Sequence, residues 1–179
     1  MGRVICVTGM PGCGKEEFVK AAQERGLAIV RMGDVVREEA KRRGLKFSDE
    51  TVGGMAHEER VRLGFGIWAE RTVPHVGDAL TVIDGIRGRE ELEVFRRAFG
   101  EALVVVAIHA SPRTRFERIR GRARGDDVVS WEEFLRRDDR ELGWGLGEVI
   151  ATADRMVVNE GGLAEMHAAC RHVLDGLAG

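Results

Sequence analysis

Gly9-Met10-Pro11-Gly12-Cys13-Gly14-Lys15-Glu16 decides how this chain is read. It follows the apolar run Val4-Ile5-Cys6-Val7 and opens the stretch Lys15 to Arg25, whose Phe18, Val19, Ala21 and Ala22 fall on one side of a helix. At such a strand-to-helix junction the segment fits G-x-x-x-x-G-K, the pattern of a phosphate-binding loop. Its glycines let successive backbone N–H groups turn inward around a phosphate, and the helix N-terminus adds partial positive charge. Lys15 supplies a mobile cation. The alternative is an ordinary glycine-rich turn with a lysine nearby, and the spacing and the extra Gly12 weigh against it. Residues Gly9, Met10, Pro11, Gly12, Cys13, Gly14, Lys15 and Glu16 are therefore the candidate nucleotide contacts.

Position 16 breaks the pattern. A Ser or Thr hydroxyl is expected there to bind Mg²⁺, and the chain has Glu16. Three roles stay open: metal ligand, since hard cations take oxygen; repulsion of the phosphates; or a solvent-facing acid at a helix N-terminus. Leu80-Thr81-Val82-Ile83 reads as a strand that ends on Asp84, a second candidate for holding Mg²⁺ beside the loop. A turn residue in Asp84-Gly85 is the plainer alternative, and the phosphate loop nearby favours the metal-linked role.

Working outward, apolar runs alternate with charged, helix-like stretches. Leu27 to Val30 reads as the second strand. Asp34 to Arg43 reads as a helix with Asp34 as N-cap and Gly44 just past its end. Ser48 to Gly77 looks mostly helical but is interrupted by glycines and Pro74. Arg89 to Phe99 reads as a helix, and Leu103 to Ile108 as a strand buried on both faces. Ser111-Pro112 opens a further helix, as does Ser130 with Glu133 as capping-box partner. Met156 to Val158 is a fifth strand, and Leu163 to Leu177 a closing amphipathic helix. This alternation predicts an α/β fold: a three-layer α/β/α domain around a parallel sheet of about five strands. No repeat, linker or low-complexity segment interrupts it, so residues 1–179 read as one domain.

The chain has 179 residues, 44% hydrophobic and 32% charged, with a formal net charge of −2. That balance gives no general attraction to nucleic acid or an anionic membrane. No apolar run approaches the roughly 20 residues of a membrane span. The N-terminal run lacks a signal-peptide cleavage pattern, and Cys6, Cys13 and Cys170 are too few for a disulfide framework. A cytoplasmic protein is expected. Arg far outnumbers Lys, and Gln23 and Asn159 are the only amides. That pattern fits either a hot habitat or a GC-rich genome.

Three further segments resemble the nucleoside monophosphate kinases. Gly33-Asp34-Val35-Val36-Arg37 resembles that family's G-D-x-x-R, which makes Gly33, Asp34 and Arg37 acceptor-binding residues. Asp84-Gly85-Ile86-Arg87 resembles its D-G-x-x-R, one residue short, so Arg87 is implied as the second acceptor-phosphate ligand, with Arg89 the other candidate. Arg124-Gly125-Asp126-Asp127 with Arg136 and Arg137 downstream resembles its lid element. The whole chain looks closest to the archaeal adenylate kinase-related proteins, also described as dephospho-CoA kinase-like. Val7 to Gly12, Met32 to Arg37, Gly147 to Ala151 and Val157 to Gly161 carry this resemblance. It implies a P-loop kinase fold with a short lid, an acceptor-binding helical part at about 33–77 and a lid at about 113–140. It also implies ATP with Mg²⁺ as donor and a small phosphorylated nucleotide-type acceptor.

The chemistry agrees, because phosphoryl transfer needs positioning and charge neutralisation more than covalent help. Lys15 serves the donor, Arg37 and Arg87 the acceptor, and the lid arginines the space between them. Arg120, Arg122, Arg124, Arg136 and Arg137 are the candidates there, with Gly121 and Gly125 as hinges. Arg115 and Arg118 are expected to face solvent at helical spacing. The five histidines show no metal-ligand spacing. Cys13 sits where a helix N-terminus lowers a thiol pKa, though a small tolerated side chain is the preferred reading. Trp68, Trp131 and Trp144 are expected to pack, with Trp144 the candidate for a substrate pocket. The arginine-rich window lacks interleaved aromatics, which argues against RNA. The competing function is a nucleotide-binding regulatory or assembly protein with weak turnover. A GTPase switch is disfavoured, because Val158 to Gly161 is not N-K-x-D.

Overall fold

The computed structural model describes residues 2–121 and 130–178. Five strands form one sheet: β1 (Val4–Thr8), β2 (Ala28–Arg31), β3 (Thr81–Asp84), β4 (Leu103–His109) and β5 (Arg155–Val158). All pairings are parallel, in the order β2-β3-β1-β4-β5. The helices are α1 (Lys15–Glu24), α2 (Met32–Arg42), α3 (Asp49–Leu63), α4 (Ile67–Thr72), α5 (Arg89–Phe99), α6 (Pro112–Gly121), α7 (Trp131–Gly143), α8 (Leu146–Ala151) and α9 (Leu163–Ala178).

The three layers follow from side-chain alternation along the strands. Val4 and Cys6 of β1 join Ile83 and Val105 in one core, covered by α2, α3, α4, α5 and α8 through residues such as Met32, Trp68, Leu92, Phe95 and Val149. Ile5 and Val7 turn the other way, with Val82, Val106 and Ile108, toward Phe18 and Val19 of α1 and Cys170 and Leu174 of α9. Every residue of β1 is buried, which is why that strand reads as a continuous apolar run. Each large apolar side chain so buried contributes about 1.5–3 kcal/mol.

One helix start differs from the sequence reading, and the expected interruption of the 48–77 stretch falls at Gly64. Helix α2 starts at Met32, directly after β2, with Arg31 in extended conformation as its N-cap; Asp34 lies inside the first turn. The 48–77 stretch breaks at Gly64, whose φ of 102° ends α3, and α4 and a 3₁₀ turn at Val73–His75 follow. The predicted Ser130–Glu133 capping box is present. Among the described residues no helix is long and apolar enough to cross a membrane.

Because the strands are parallel, their carboxyl ends lie on one side of the sheet. The chain leaves β1 between β3 and β4, and its order reverses there; in such sheets that crevice takes ligands.

Candidate functional site

Thr8 ends β1 and donates its hydroxyl to the Ile86 carbonyl (3.3 Å), so the loops after β1 and β3 lie side by side. Residues 9–14 turn into α1 with Gly12 and Gly14 at φ 81° and 93°, values an L side chain rarely adopts. Gly14 is the N-cap of α1 and offers no side-chain cap, so the positive end of the helix faces the loop without a capping side chain. A Cβ at Gly12 would press on the Arg115 carbonyl (2.9 Å), and one at Gly14 would collide with the Asn159 amide nitrogen. The loop is held from outside by two buried side chains. Asn159 donates to the Cys13 carbonyl (2.8 Å), and Arg115 donates to the Pro11 carbonyl (3.1 Å).

Arg115 therefore does not face solvent as expected. It is 3% exposed and forms a two-pronged pair with Asp138 of α7, while its guanidinium lies 4.9 Å from the Phe134 ring. Arg118 is also engaged, donating to the Asn159 and Gly161 carbonyls. At Cys13 burial pushes the thiol up, outweighing the lowering by the Lys15 backbone N–H and by the Lys15 and Arg115 charges.

Four charges gather at the loop's end. Lys15 pairs with one oxygen of Asp84. Arg31 donates to the other Asp84 oxygen (3.1 Å) and to both oxygens of Glu16 (2.8 and 2.9 Å). Sheet register produces this, since Arg31 is the partner of Asp84 in the β2–β3 ladder and Asp84 is the partner of Val7 in the β3–β1 ladder. The Arg31 guanidinium holds the Glu16 carboxyl below the usual range. Arg31 was not singled out in the sequence. The signal was there: a charged residue closing an apolar strand, as Asp84 closes β3.

Among the described residues no three His, Cys, Asp or Glu side chains are grouped to hold a metal. Mg²⁺ does not need such a cage; it uses one or two carboxylates, water and substrate phosphate oxygens. Asp84, 7% exposed and at the loop's edge, fits that demand. Glu16, turned onto Arg31, is placed as that residue's holder.

On the other side of β3, Gly33, Asp34 and Arg37 lie in the first turns of α2, with Arg37 and Asp34 paired to each other and exposed. Arg87 follows β3. Its backbone N–H donates to Glu91 (2.8 Å) and its side chain to Glu141 (3.2 Å). Its guanidinium lies 5.8 Å from the Trp144 ring centroid, and those of Arg60 and Arg140 lie at 5.4 and 5.5 Å. Arg60 is held by the buried Glu91 (3.1 Å), whose carboxyl is pushed up by burial against the lowering effect of Arg60. Three guanidiniums thus surround one indole, and Arg60, Arg87 and Trp144 also line a small cavity with Phe65, Gly88, Glu90 and Glu91. Arg60 and Arg140 were not read from the sequence; no local pattern marks them.

The lid candidates are only partly placed. Arg120 is exposed, with its guanidinium 5.6 Å from the Phe116 ring. Arg136 is exposed on α7, and Arg137 is half-buried, its buried Nε without a hydrogen-bond partner among the described residues. Arg122, Arg124, Gly125, Asp126 and Asp127 lie outside the described residues.

A parallel sheet with a glycine loop and lysine after β1 and an acid ending β3 defines a protein of P-loop kinase-like architecture. Solved structures of the same fold include TT1252 from Thermus thermophilus (TM-score 0.66, 18% identity, 99% of both chains). A shikimate kinase from Acinetobacter baumannii is another (TM-score 0.62, 14% identity, 99% of this chain and 94% of that one). The model of the AAA domain family matches residues 8–135. The chain belongs to the UPF0200 family. It is 49% identical to UPF0200 protein Ta0179 of Thermoplasma acidophilum over 96% of this chain and 94% of the relative. It is 52% identical to UPF0200 protein MK0400 of Methanopyrus kandleri over 96% and 88%.

Proposed function

We propose that the chain is an ATP- and Mg²⁺-dependent phosphotransferase whose acceptor is a small phosphorylated nucleotide-type molecule, a nucleoside monophosphate or a dephospho-CoA-like compound. One observation carries the reading: Asp84 ends β3 bonded to the phosphate-loop lysine on one side and to Arg31, which leads into the Gly33–Arg37 segment, on the other. The donor and acceptor halves of the reading thus meet at one carboxylate.

The loop N–H groups and Lys15 bind the donor phosphates, and Lys15 exchanges Asp84 for them. Asp84 would hold Mg²⁺, which would supply charge neutralisation at the donor's phosphate oxygens. Arg37 and the Arg60–Arg87–Arg140 group orient the anionic acceptor, whose own charge opposes approach to the donor. In the transfer, the bond from the γ-phosphorus to its bridging oxygen breaks as the acceptor oxygen bonds to phosphorus, and ADP leaves. An acceptor phosphate oxygen needs no base. An acceptor hydroxyl must lose a proton, and we assign that proton to Asp34, in the first turn of α2 beside Arg37. The segment at about 113–140 supplies Arg120, Arg122, Arg124, Arg136 and Arg137 and excludes water, with residues 1–179 acting as one domain.

Acceptor-dependent ADP release, screened over nucleoside monophosphates and dephospho-CoA, tests this. Activity with one acceptor, lost in Lys15→Ala and reduced at least tenfold in Arg37→Ala or Arg87→Ala, supports it. A hydroxyl acceptor also requires activity to fall in Asp34→Asn. Tight ATP binding that no acceptor stimulates overturns it in favour of a nucleotide-binding regulator, the reading that Glu16 favours by standing where the loop hydroxyl belongs.

A further inference from the structure

A carboxylate at position 16 lies one residue from the phosphate-loop lysine, close to where a polyanion must sit. Like charges a few ångströms apart repel each other, and more strongly near a protein surface than in bulk water. An unpartnered Glu16 would therefore oppose donor binding. It has a partner: Arg31 takes both Glu16 oxygens with its two terminal nitrogens, at 2.8 and 2.9 Å. The pair is tied to the rest of the site, since Arg31 also donates to Asp84 and Asp84 holds Lys15. Glu16, Arg31, Asp84 and Lys15 thus alternate in sign and sum to zero. Among the described residues, Lys20 on α1 and Asp34 on α2 also act on the pair. The Arg31 and Glu16 side chains are 28% and 44% exposed, so solvent screens the pair only in part.

We propose that Glu16 and Arg31 work as one unit that replaces the loop hydroxyl. Glu16 aims the guanidinium, Arg31 neutralises Glu16 and fixes the Asp84 carboxylate, and Arg31 is thereby a positioning residue of the donor site. The proposal rests on the ATP-binding part of the reading above. It explains how a phosphate loop tolerates an acid at a position that otherwise carries a hydroxyl. It also requires arginine at 31, because a lysine offers no planar fork and cannot serve both Glu16 oxygens and Asp84 at once.

The test is equilibrium ATP binding, with and without Mg²⁺, in single and double variants checked for folding by circular dichroism. Arg31→Gln frees the Glu16 charge and is expected to weaken ATP binding about 10- to 50-fold, and Arg31→Lys to recover only part of that. Glu16→Gln alone is expected to weaken it less than Arg31→Gln does, because it leaves no unmatched carboxylate beside the phosphates. Glu16→Gln in the Arg31→Gln background is expected to recover at least fivefold, a rescue that a merely structural arginine would not show. Carbon-13 NMR titration of Glu16 gives a readout without nucleotide: its depressed pKa should return to the ordinary carboxylate range in Arg31→Gln. Strictly multiplicative effects of the two changes overturn the proposal. So does loss of the Mg²⁺ dependence of ATP binding in Glu16→Gln, which would make Glu16 a metal ligand. If the wild type binds ATP and Arg31→Gln binds it equally well, the proposal alone fails. A wild type that binds no ATP overturns the donor-site reading, and the proposal with it.

Discussion

Asn159, 6% exposed, donates its side-chain amide to the Cys13 carbonyl at 2.8 Å and so fastens the turn after β5 to the phosphate loop. Arg118 in turn donates to the Asn159 carbonyl (3.0 Å) and side-chain oxygen (3.3 Å). The loop's shape is thus set by two elements distant in sequence, and Gly14 has to lack a Cβ because the Asn159 amide occupies that space.

Asn159→Ala leaves the buried Cys13 carbonyl without its donor, a loss of about 1–3 kcal/mol. Urea unfolding should show that cost, and ATP binding should weaken in parallel because the loop is held less firmly. Gly14→Ala should weaken ATP binding further while the rest of the sheet persists, since its φ of 93° and the Asn159 contact both oppose a side chain.

The Arg115–Asp138 pair joins α6 to α7, with Arg115 3% and Asp138 7% exposed. Asp138→Leu or Arg115→Met leaves one buried charge unmatched and should cost about 3–5 kcal/mol. The double variant Arg115→Met/Asp138→Leu should cost markedly less than the two losses added, because no orphaned charge remains. A double-mutant cycle by urea denaturation measures the difference.

Much of the fold was legible because its cause is local. β1 and β4 are read from their apolar runs, and the Ser130 capping box from a serine with Glu133 three residues on. What escaped has a tertiary cause. Arg115 sits at ordinary helical spacing among charged residues, and only the fold brings Asp138 and Phe134 onto it. Arg31 gains its role from the β2–β3 register, which sets it beside Asp84. Arg60 and Arg140 meet at Trp144 from two helices that are far apart in the chain. At Cys13 the local signal pointed the wrong way: a helix N-terminus favours thiolate, but burial acts more strongly in the opposite sense.

The cysteines therefore make a direct readout. Cys6, Cys13 and Cys170 are 0%, 1% and 0% exposed, and burial raises all three thiols, Cys170 to about 11. Native protein at pH 7.5 (about one unit below an ordinary thiol) should react with a thiol reagent at least tenfold more slowly than a model thiol. Unfolding in guanidinium should release all three. Fast labelling of Cys13 in the native state would contradict the loop geometry.

Glu59 sets part of the acid limit of stability. Its side chain is 2% exposed and faces three arginines: Arg62 (2.6 Å), Arg71 (2.5 Å) and Arg43 (3.0 Å). Arg62 foremost holds its carboxyl down to about 2, against the opposing effect of burial. A glutamate in the unfolded chain titrates near 4.3. With a folded pKa below the unfolded one, the stabilisation is complete above about pH 4.3 and is lost as pH falls toward about 2. Glu39, also about 2 and sharing Arg43, titrates in the same window, whereas Glu91, pushed up by burial, works in the opposite sense. Glu59→Gln should thus be less stable than wild type at pH 7, by about 1–3 kcal/mol. That gap should narrow steadily below pH 4.3 and nearly close by pH 2, as urea midpoints measured across that range will show. A constant gap at every pH would mean that Glu59 contributes packing alone and that its three arginines leave its ionisation unaltered.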